Sequence, residues 1–98
     1  MEVEKIIEEI VKIVKKQAGP HVRILLYGSH AKGNALDTSD VDVAIDAGNR
    51  LPFEIMLKIK EDIDAIPTLR SIDIVDYNDI GTALKNSIIK NSKEICAK

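Results

Sequence analysis

The sequence predicts a small α/β (α+β) domain with a mixed sheet flanked by helices, in the order α-β-α-β-α-β-α. Three patterns carry this prediction: helical spacing of apolar residues near the N-terminus, an apolar run at 21–27, and strict polar–apolar alternation at 40–46. With 98 residues, 45% of them hydrophobic and 31% charged, the chain has the size and composition of one globular domain, residues 1–98.

The first predicted helix covers residues 2–18. Charged side chains occupy one face of this helix, and an apolar stripe occupies the other. Gly19 and Pro20 are expected to end it, because glycine closes a helix and proline does not continue one. The apolar stripe consists of Val3, Ile6, Ile7, Ile10, Val11 and Val14.

A strand at 21–27 and a short helix are predicted next. Apolar residues stand at both odd and even positions of the strand, which is typical of a strand covered on both faces. Gly28 ends the strand, and Ser29 is placed to cap a turn of helix that Gly33 stops. Residues 34–39 are expected to form a loop.

The rest of the chain supplies two more strands, two helices and a terminal strand. Residues 40–46 alternate, with three aspartates on one face and β-branched apolar residues on the other. The later predicted elements are a helix from Pro52 to about residue 65, a strand at 70–76, a helix capped by Asn78 or Asp79, and a short strand at 93–97.

Composition argues against several kinds of site. A net charge of −2, with only one phenylalanine and two tyrosines, disfavours direct nucleic-acid binding, which uses basic surfaces and aromatic stacking. A single cysteine, Cys96, permits no internal disulfide and no thiolate zinc cluster. No apolar run approaches the ~20 residues of a membrane span, and the acidic N-terminus does not resemble a signal peptide. We therefore expect a cytoplasmic protein without membrane contact.

Gly28 and Ser29 form the first candidate site, because they lie where a strand ends and a helix begins. Backbone N–H groups and the helix dipole attract anions at such a position. Gly28 would let a phosphate approach the backbone without a Cβ in the way, and Ser29 could donate its hydroxyl. An ordinary structural turn explains the same pair, so these residues alone leave both interpretations open.

Asp40 and Asp42 form the second candidate site. Two residues apart on a strand, their side chains share one face, ~6–7 Å apart at Cα. Carboxylates this close repel each other unless cations lie between them, and Mg²⁺ takes one or two carboxylates together with substrate phosphates. A solvated strand face is the alternative. If Gly28 and Asp40 serve one site, the first two strands must run antiparallel, with Ser39 fixing the entry to the second.

A third carboxylate is expected from the third strand. Asp73 is flanked by apolar residues that point to the opposite face, so it shares a face with Asp42 if the two strands are neighbours. Asp46 lies at the far end of the second strand and is interpreted as structural. Asp76 is interpreted as a turn residue and Asp37 as a solvated loop residue.

Together these residues resemble the motifs of the minimal nucleotidyltransferases of the DNA polymerase β superfamily. The chain reads Gly28-Ser29-His30-Ala31-Lys32-Gly33, then Ser39-Asp40-Val41-Asp42, then Asp73 in an apolar strand. The family has G-S-x-A-[RK]-G, then S-D-[LIV]-D, then a later aspartate in a hydrophobic strand. The resemblance covers nearly the whole chain, because the predicted order of elements is also the minimal core of that polymerase-β-like fold.

The resemblance implies a role for each matching position. The residues that would bind the nucleotide are Gly28, Ser29, Lys32 and Ser39. The residues that would bind two Mg²⁺ ions are Asp40, Asp42 and Asp73. Asp73 would also help to activate the acceptor hydroxyl for transfer of AMP from ATP, with release of pyrophosphate. For Lys32, contact with a phosphate and exposure to solvent both stay open.

The resemblance also implies a partner protein. Larger relatives carry an added domain that binds the base or the acceptor, whereas a chain this short resembles the MntA-like antitoxins of paired HEPN/MNT systems. There the MNT protein is encoded beside an all-helical HEPN ribonuclease, and some members transfer AMP to a tyrosine of that toxin. A homodimer or a hetero-oligomer would supply a second protein surface to enclose the substrate, which a domain of this size has little room to provide.

Three functions stay open on the sequence alone. The first is a Mg²⁺-dependent enzyme that transfers AMP to a protein hydroxyl of a HEPN-type partner. The second is a catalytically silent antitoxin that masks its toxin by contact. The third is a small-molecule nucleotidyltransferase of the antibiotic-modifying type, completed by oligomerisation. The presence of the glycine, serine and aspartate motifs favours an active enzyme. The short chain disfavours the small-molecule nucleotidyltransferase.

Overall fold

The computed structural model describes residues 3–28 and 40–95, and it shows a four-stranded mixed sheet with helices packed on both faces. The elements are α1 (Val3–Ala18), β1 (Arg23–Tyr27), β2 (Val41–Asp46), α2 (Phe53–Asp64), β3 (Ile72–Asp76), a 3-10 helix (Tyr77–Asp79), α3 (Thr82–Asn91) and β4 (Lys93–Ile95). The predicted fold class is confirmed. The predicted turn of helix at 29–33 lies outside the described residues.

The sheet has the strand order β3-β2-β1-β4. β1 runs antiparallel to both β2 and β4, whereas β2 and β3 are parallel. The antiparallel arrangement of the first two strands, which a shared site requires, is therefore confirmed. The register sets Tyr27 opposite Asp42, and Asp42 opposite Asp73.

The main core lies between the sheet and the pair α1 and α2. Residues of β1 and β2 at alternate positions enter it, as the period of a strand requires. The fully buried members with the largest side chains are Ile6, Ile10, Val11, Val14, Ile24, Val41, Val43, Ile45 and Ile59. Gln17 ties α1 to α2 by donating from Nε2 to Asp62 Oδ2 at 2.9 Å. None of the described helices is long and apolar enough to cross a membrane.

A smaller cluster covers the other face of the sheet. Ile88 of α3 packs against Leu25 of β1 and Ala44 of β2, all of them buried. β1 is therefore apolar on both sides, as its sequence predicts, because Ile24 and Leu26 face one cluster while Leu25 faces the other. This second face is the one that carries Asp42 and Asp73.

The start of the last helix differs from the prediction. Residues 77–79 form a 3-10 helix capped by Asp76, whose Oδ1 accepts the Asn78 N–H at 3.0 Å, so α3 begins only at Thr82 with Gly81 as its N-cap. Asp76 is the turn residue that was expected, but it is buried, with 6% of its surface exposed. Its Oδ2 also accepts the Leu51 N–H at 2.7 Å, which ties the segment after β2 to the end of β3.

Replacing Asp76 with alanine is expected to lower the free energy of unfolding by about 2–3 kcal/mol, because two N–H groups lose their acceptor in a poorly hydrated place. Denaturant unfolding measures this loss. Asp64→Ala, which removes an exposed carboxylate at the end of α2, serves as the control and should change stability by no more than ~0.5 kcal/mol. Equal losses of stability in the two variants would contradict the role of Asp76 as a buried hydrogen-bond acceptor.

Candidate active site

The three predicted carboxylates gather where β2 and β3 begin and β1 ends. Asp40 directly precedes β2 and is exposed, Asp42 is half-buried, and Asp73 is exposed. Because β2 and β3 are parallel neighbours in register, Asp42 and Asp73 lie side by side on one face, about 4.8 Å apart in the direction across the strands. The expected sharing of a face by these two residues is confirmed.

Gly28 adjoins the Asp42 carboxylate. Its φ of +74° lies in the left-handed region, which glycine enters without strain. A Cβ added to Gly28 would lie 2.6 Å from Asp42 Oδ2, closer than two such atoms can approach. The backbone that follows β1 therefore lies directly beside this carboxylate, and any other residue there would strain the backbone and displace the Asp42 side chain. Of the predicted phosphate-binding residues Gly28 is the one that the structure describes, since Ser29, Lys32 and Ser39 lie outside the described residues.

Tyr27 lies in line with Asp42 and Asp73 across the sheet, and the sequence did not identify it as a site residue. The register aligns Tyr27, Asp42 and Asp73 across three strands. Burial foremost, and then the charges of Asp73 and Asp42, raises the pKa of the Tyr27 phenol to about 12. It is therefore neutral at physiological pH and can only donate or accept a hydrogen bond there. In the sequence, Tyr27 is distinguished only by its position directly before Gly28. That position indicates a link to the two aspartates only once the pairing of the strands is known.

The donor set suits Mg²⁺ bound together with a substrate. Among the residues that the structure describes, no three histidine, cysteine, aspartate or glutamate side chains converge closely enough to hold a metal ion. Asp42 and Asp73 nevertheless lie side by side, Asp40 comes two residues before Asp42 in the chain, and carboxylate oxygens are the hard ligands that Mg²⁺ prefers. This arrangement fits an ion that takes one or two carboxylates and completes its shell with phosphate oxygens and water.

Asp46 lies at the other end of β2 and has structural partners there. Its carboxylate accepts hydrogen bonds from Asn78 Nδ2 and from the Gly48 N–H, each at 2.9 Å, and lies 3.5 Å from Arg23 Nη1. Burial works to raise the pKa of Asp46, but these hydrogen bonds and the Arg23 charge together hold it below its ordinary value. These contacts agree with the structural interpretation of this residue.

Gly28→Ala is expected to destabilise the protein by more than Gly48→Ala. Both glycines have positive φ, at +74° and +86°, so alanine costs about 1–2 kcal/mol at each position. Only at Gly28 does the new Cβ meet the Asp42 carboxylate, because nothing lies within 4 Å of a Cβ at Gly48. We expect a further loss of about 1 kcal/mol for Gly28→Ala, together with weaker Mg²⁺-nucleotide binding. Denaturant unfolding and calorimetric titration measure the two effects, and identical behaviour of the variants would disprove the close approach.

The Tyr27 phenol is expected to ionise near pH 12 in the metal-free protein, and Asp73→Asn is expected to lower that pKa by removing a nearby negative charge. Phenolate absorbance in a Tyr77→Phe background isolates this group, and Asp64→Asn serves as the control. Because the folded pKa lies above the ordinary value of 10.0, Tyr27 contributes stability below pH 10 that is lost as the pH rises toward 12. An unchanged Tyr27 pKa in Asp73→Asn would contradict the alignment of the row.

Comparison with known proteins shows what this chain resembles. A Methanocaldococcus jannaschii protein, provisionally named a protein adenylyltransferase, is 23% identical over 95 residues that cover 97% of this chain and 99% of the relative. A chain in the complex of a tri-AMPylated Shewanella oneidensis HEPN toxin with an MNT antitoxin has a TM-score of 0.69 at 20% identity, covering 97% of this chain and 72% of that one. A chain in a toxin–antitoxin structure with AMP-PNP has a TM-score of 0.63 at 23% identity, covering 93% and 74%.

These structural likenesses show the fold, and the family follows from the sequence profile. The profile described as "Polymerase beta, Nucleotidyltransferase" matches residues 8–98, a span that contains the whole candidate site. This match confirms the resemblance drawn from the glycine, serine and aspartate motifs. The chain therefore belongs to the polymerase beta nucleotidyltransferase family, whose members are nucleotidyltransferase enzymes.

Proposed function

We propose that this protein transfers AMP from ATP to a hydroxyl of a partner protein, a tyrosine of a cognate HEPN-type toxin, and thereby acts as the antitoxin. The observation that carries the proposal is the placement of Asp42 between Asp73 on β3 and the Cβ-free backbone of Gly28, which directly follows β1. The adenylyltransferase name of the M. jannaschii relative and the AMPylated toxin in the S. oneidensis complex support the same reaction class.

Each residue of the site has a definite task in this reaction. Gly28 allows the triphosphate to approach the backbone, next to the carboxylates. Asp40 and Asp42, with Asp73, would hold two Mg²⁺ ions. When bound, these ions neutralise negative charge on the phosphates. Asp73 would also orient the acceptor hydroxyl and accept its proton as the oxygen bonds to the α-phosphorus. The bond between that phosphorus and pyrophosphate then breaks, and pyrophosphate leaves.

The exposure of the site favours a protein acceptor. Asp40 and Asp73 are both exposed, so the acceptor side of the sheet is open in the described residues. When a second surface covers a site that is open on one side, it orients the reacting groups and excludes water from them. A macromolecular acceptor supplies such a surface, either in a hetero-oligomer or beside a homodimer. We propose that residues 1–98 act as one minimal domain in the cytoplasm, where ATP and Mg²⁺ are supplied.

Labelled ATP tests the reaction directly. The purified chain is incubated with α-labelled ATP and Mg²⁺, with and without the purified product of the neighbouring gene. We expect label on that product only when chain, ATP and Mg²⁺ are all present. Asp40→Ala/Asp42→Ala should reduce labelling more than about 100-fold, because metal-bound charge stabilisation contributes several kcal/mol.

A matched double variant controls for the loss of two charges. Glu4→Ala/Glu61→Ala also removes two carboxylates from exposed positions, in α1 and α2, and should label the partner at the unmodified rate. The proposal fails if label appears equally with the Asp40→Ala/Asp42→Ala variant. It also fails if the chain neutralises its neighbour without transferring label, an outcome that would instead support a catalytically silent antitoxin.

A further inference from the structure

We propose that the outer edge of β3 docks an extended segment of the acceptor protein, which joins the sheet as an additional strand and brings its hydroxyl to Asp73. This inference rests on the proposed transfer of AMP to a protein, and it specifies how that acceptor is held. Its basis is the hydrogen-bonding edge of β3, the surface beside that edge, and the position of Asp73 along it.

β3 presents its backbone at one edge of the sheet. In residues 3–28 and 40–95, β3 pairs only with β2. The Val41 N–H donates to the Ser71 carbonyl at 2.9 Å, and in a parallel pair every second residue turns its main-chain groups to the same neighbour. The main-chain groups of Asp73 therefore turn toward β2, whereas those of Ile72 and Ile74 turn outward. Such an edge is a template for another strand.

Three adjoining cavities, together called the edge trough here, follow this edge between β3 and α2. A cavity of about 760 Å³ at the C-terminal end of β3 shares Lys60 and Ile74 with a cavity of about 200 Å³, which Asp73 also lines. A third cavity of about 260 Å³ continues from there past Ile72. Because the lining includes residues from both faces of the sheet, the trough lies at the edge itself. Along this edge it reaches Asp73, the candidate catalytic carboxylate.

The edge trough has the surface chemistry of a peptide-binding site. At its wide end Phe53 and Leu57, four residues apart on one side of α2, are 74% and 44% exposed and offer apolar surface to a partner. Lys60 of the same helix is exposed and makes no ion pair with another described residue. Asp64 and Asp73 line the smaller cavity together with Lys60, so Lys60 attracts an acidic side chain only on the side of the wide cavity. The trough is therefore complementary to a segment with an apolar side chain near Phe53 and an acidic side chain on that side of Lys60.

The dimensions fit one short extended segment. Asp76 follows Asp73 by three residue steps along the strand, a distance of ~10 Å. A segment paired with β3 would thus place a hydroxyl-bearing residue beside Asp73 while its apolar residue, about three positions away, contacts Phe53 and Leu57. Main-chain hydrogen bonds to Ile72 and Ile74 would set the register, and the side chains would select the segment.

Two other arrangements are disfavoured by the same residues. If a second copy of this chain paired through its own β3, Asp73 and Asp76 of both copies would lie along the same strand pair. Like charges across a strand pair are destabilising. The opposite edge of the sheet, β4, is only three residues long, and its Glu94 already accepts from Arg23 Nε at 2.8 Å. Short and charged edges resist strand addition, and this one lies on the far side of β1 from Asp73.

A matched pair of double variants tests the docking site with the product of the neighbouring gene as acceptor. Phe53→Ser/Lys60→Glu alters the edge trough, and Ile89→Ser/Lys16→Glu makes the same kinds of change at exposed positions of α3 and α1. We expect the first variant to lose about tenfold or more in AMP transfer through a higher KM for the acceptor, with ATP binding unchanged. The second should transfer AMP at the unmodified rate, and circular dichroism should show both folded.

Residue-resolved amide exchange tests the strand addition itself. In the complex of the chain with the neighbouring gene's product and a non-hydrolysable ATP analogue, the outward N–H groups of Ile72 and Ile74 should exchange at least about tenfold more slowly. The inference is overturned if these amides are unaffected while α1 or α3 becomes protected. It is also overturned if they become protected in the chain alone as its concentration rises, since a second copy would then be the occupant.

The two proposals fail in distinguishable ways. If the unmodified chain transfers no AMP to its neighbour, the proposed function fails, and the docking inference that rests on it fails too. If the two double variants transfer AMP equally well, only the docking inference fails, and the proposed function stands.

Discussion

The contact between the backbone of Gly28 and the carboxylate of Asp42 constrains the elements around it. A Cβ at residue 28 would come within 2.6 Å of Asp42 Oδ2, and the positive φ there favours glycine, so glycine lets the chain turn after β1 without displacing that carboxylate. The contact requires β1 and β2 to be antiparallel neighbours, because only then does the end of one strand meet the start of the other. The contact thus brings together the Cβ-free backbone of Gly28 and the carboxylate of Asp42, the two groups to which the proposed function assigns phosphate and metal.

The two faces of the sheet contribute differently to this arrangement. α1 and α2 bury one face almost completely, and that core holds the strands in register. The other face is covered by a smaller cluster around Ile88, and the ends of β2 and β3 on that face carry Asp42 and Asp73 toward solvent. At the opposite end, Asp76 and Asp46 bind backbone and side-chain donors, which fixes the segments that follow β2 and β3. The carboxylates at one end of β2 and β3 are therefore bound to structural partners, whereas the proposed function assigns the chemistry to those at the other end.

Much of the fold could be predicted, because its signals are local. The stripe that includes Ile6, Ile10 and Val14 defines α1, and the alternation of Val41, Val43 and Ile45 defines β2. The start of α3 could not be predicted in the same way. Asn78 and Asp79 have the chemistry of helix caps, but Asp76 binds the Asn78 N–H and so forms a separate 3-10 turn. That outcome depends on Leu51, a residue distant in sequence, whose N–H helps to hold the buried carboxylate in place.

The sequence by itself determined the main helices and strands of the described residues, the covering of β1 on both faces, and the set of residues to which a phosphate and metal site is assigned. Periodicity and short-range steric preference suffice for these, since each depends on a few neighbouring residues. Only the tertiary structure decided that Asp73 stands beside Asp42, that Tyr27 completes their row, and that Asp46 is held by Arg23 and Asn78 at the other end. It also decided that β3 rather than β1 lies at the edge of the sheet. Strand order and register arise from packing between distant segments, which no local pattern records.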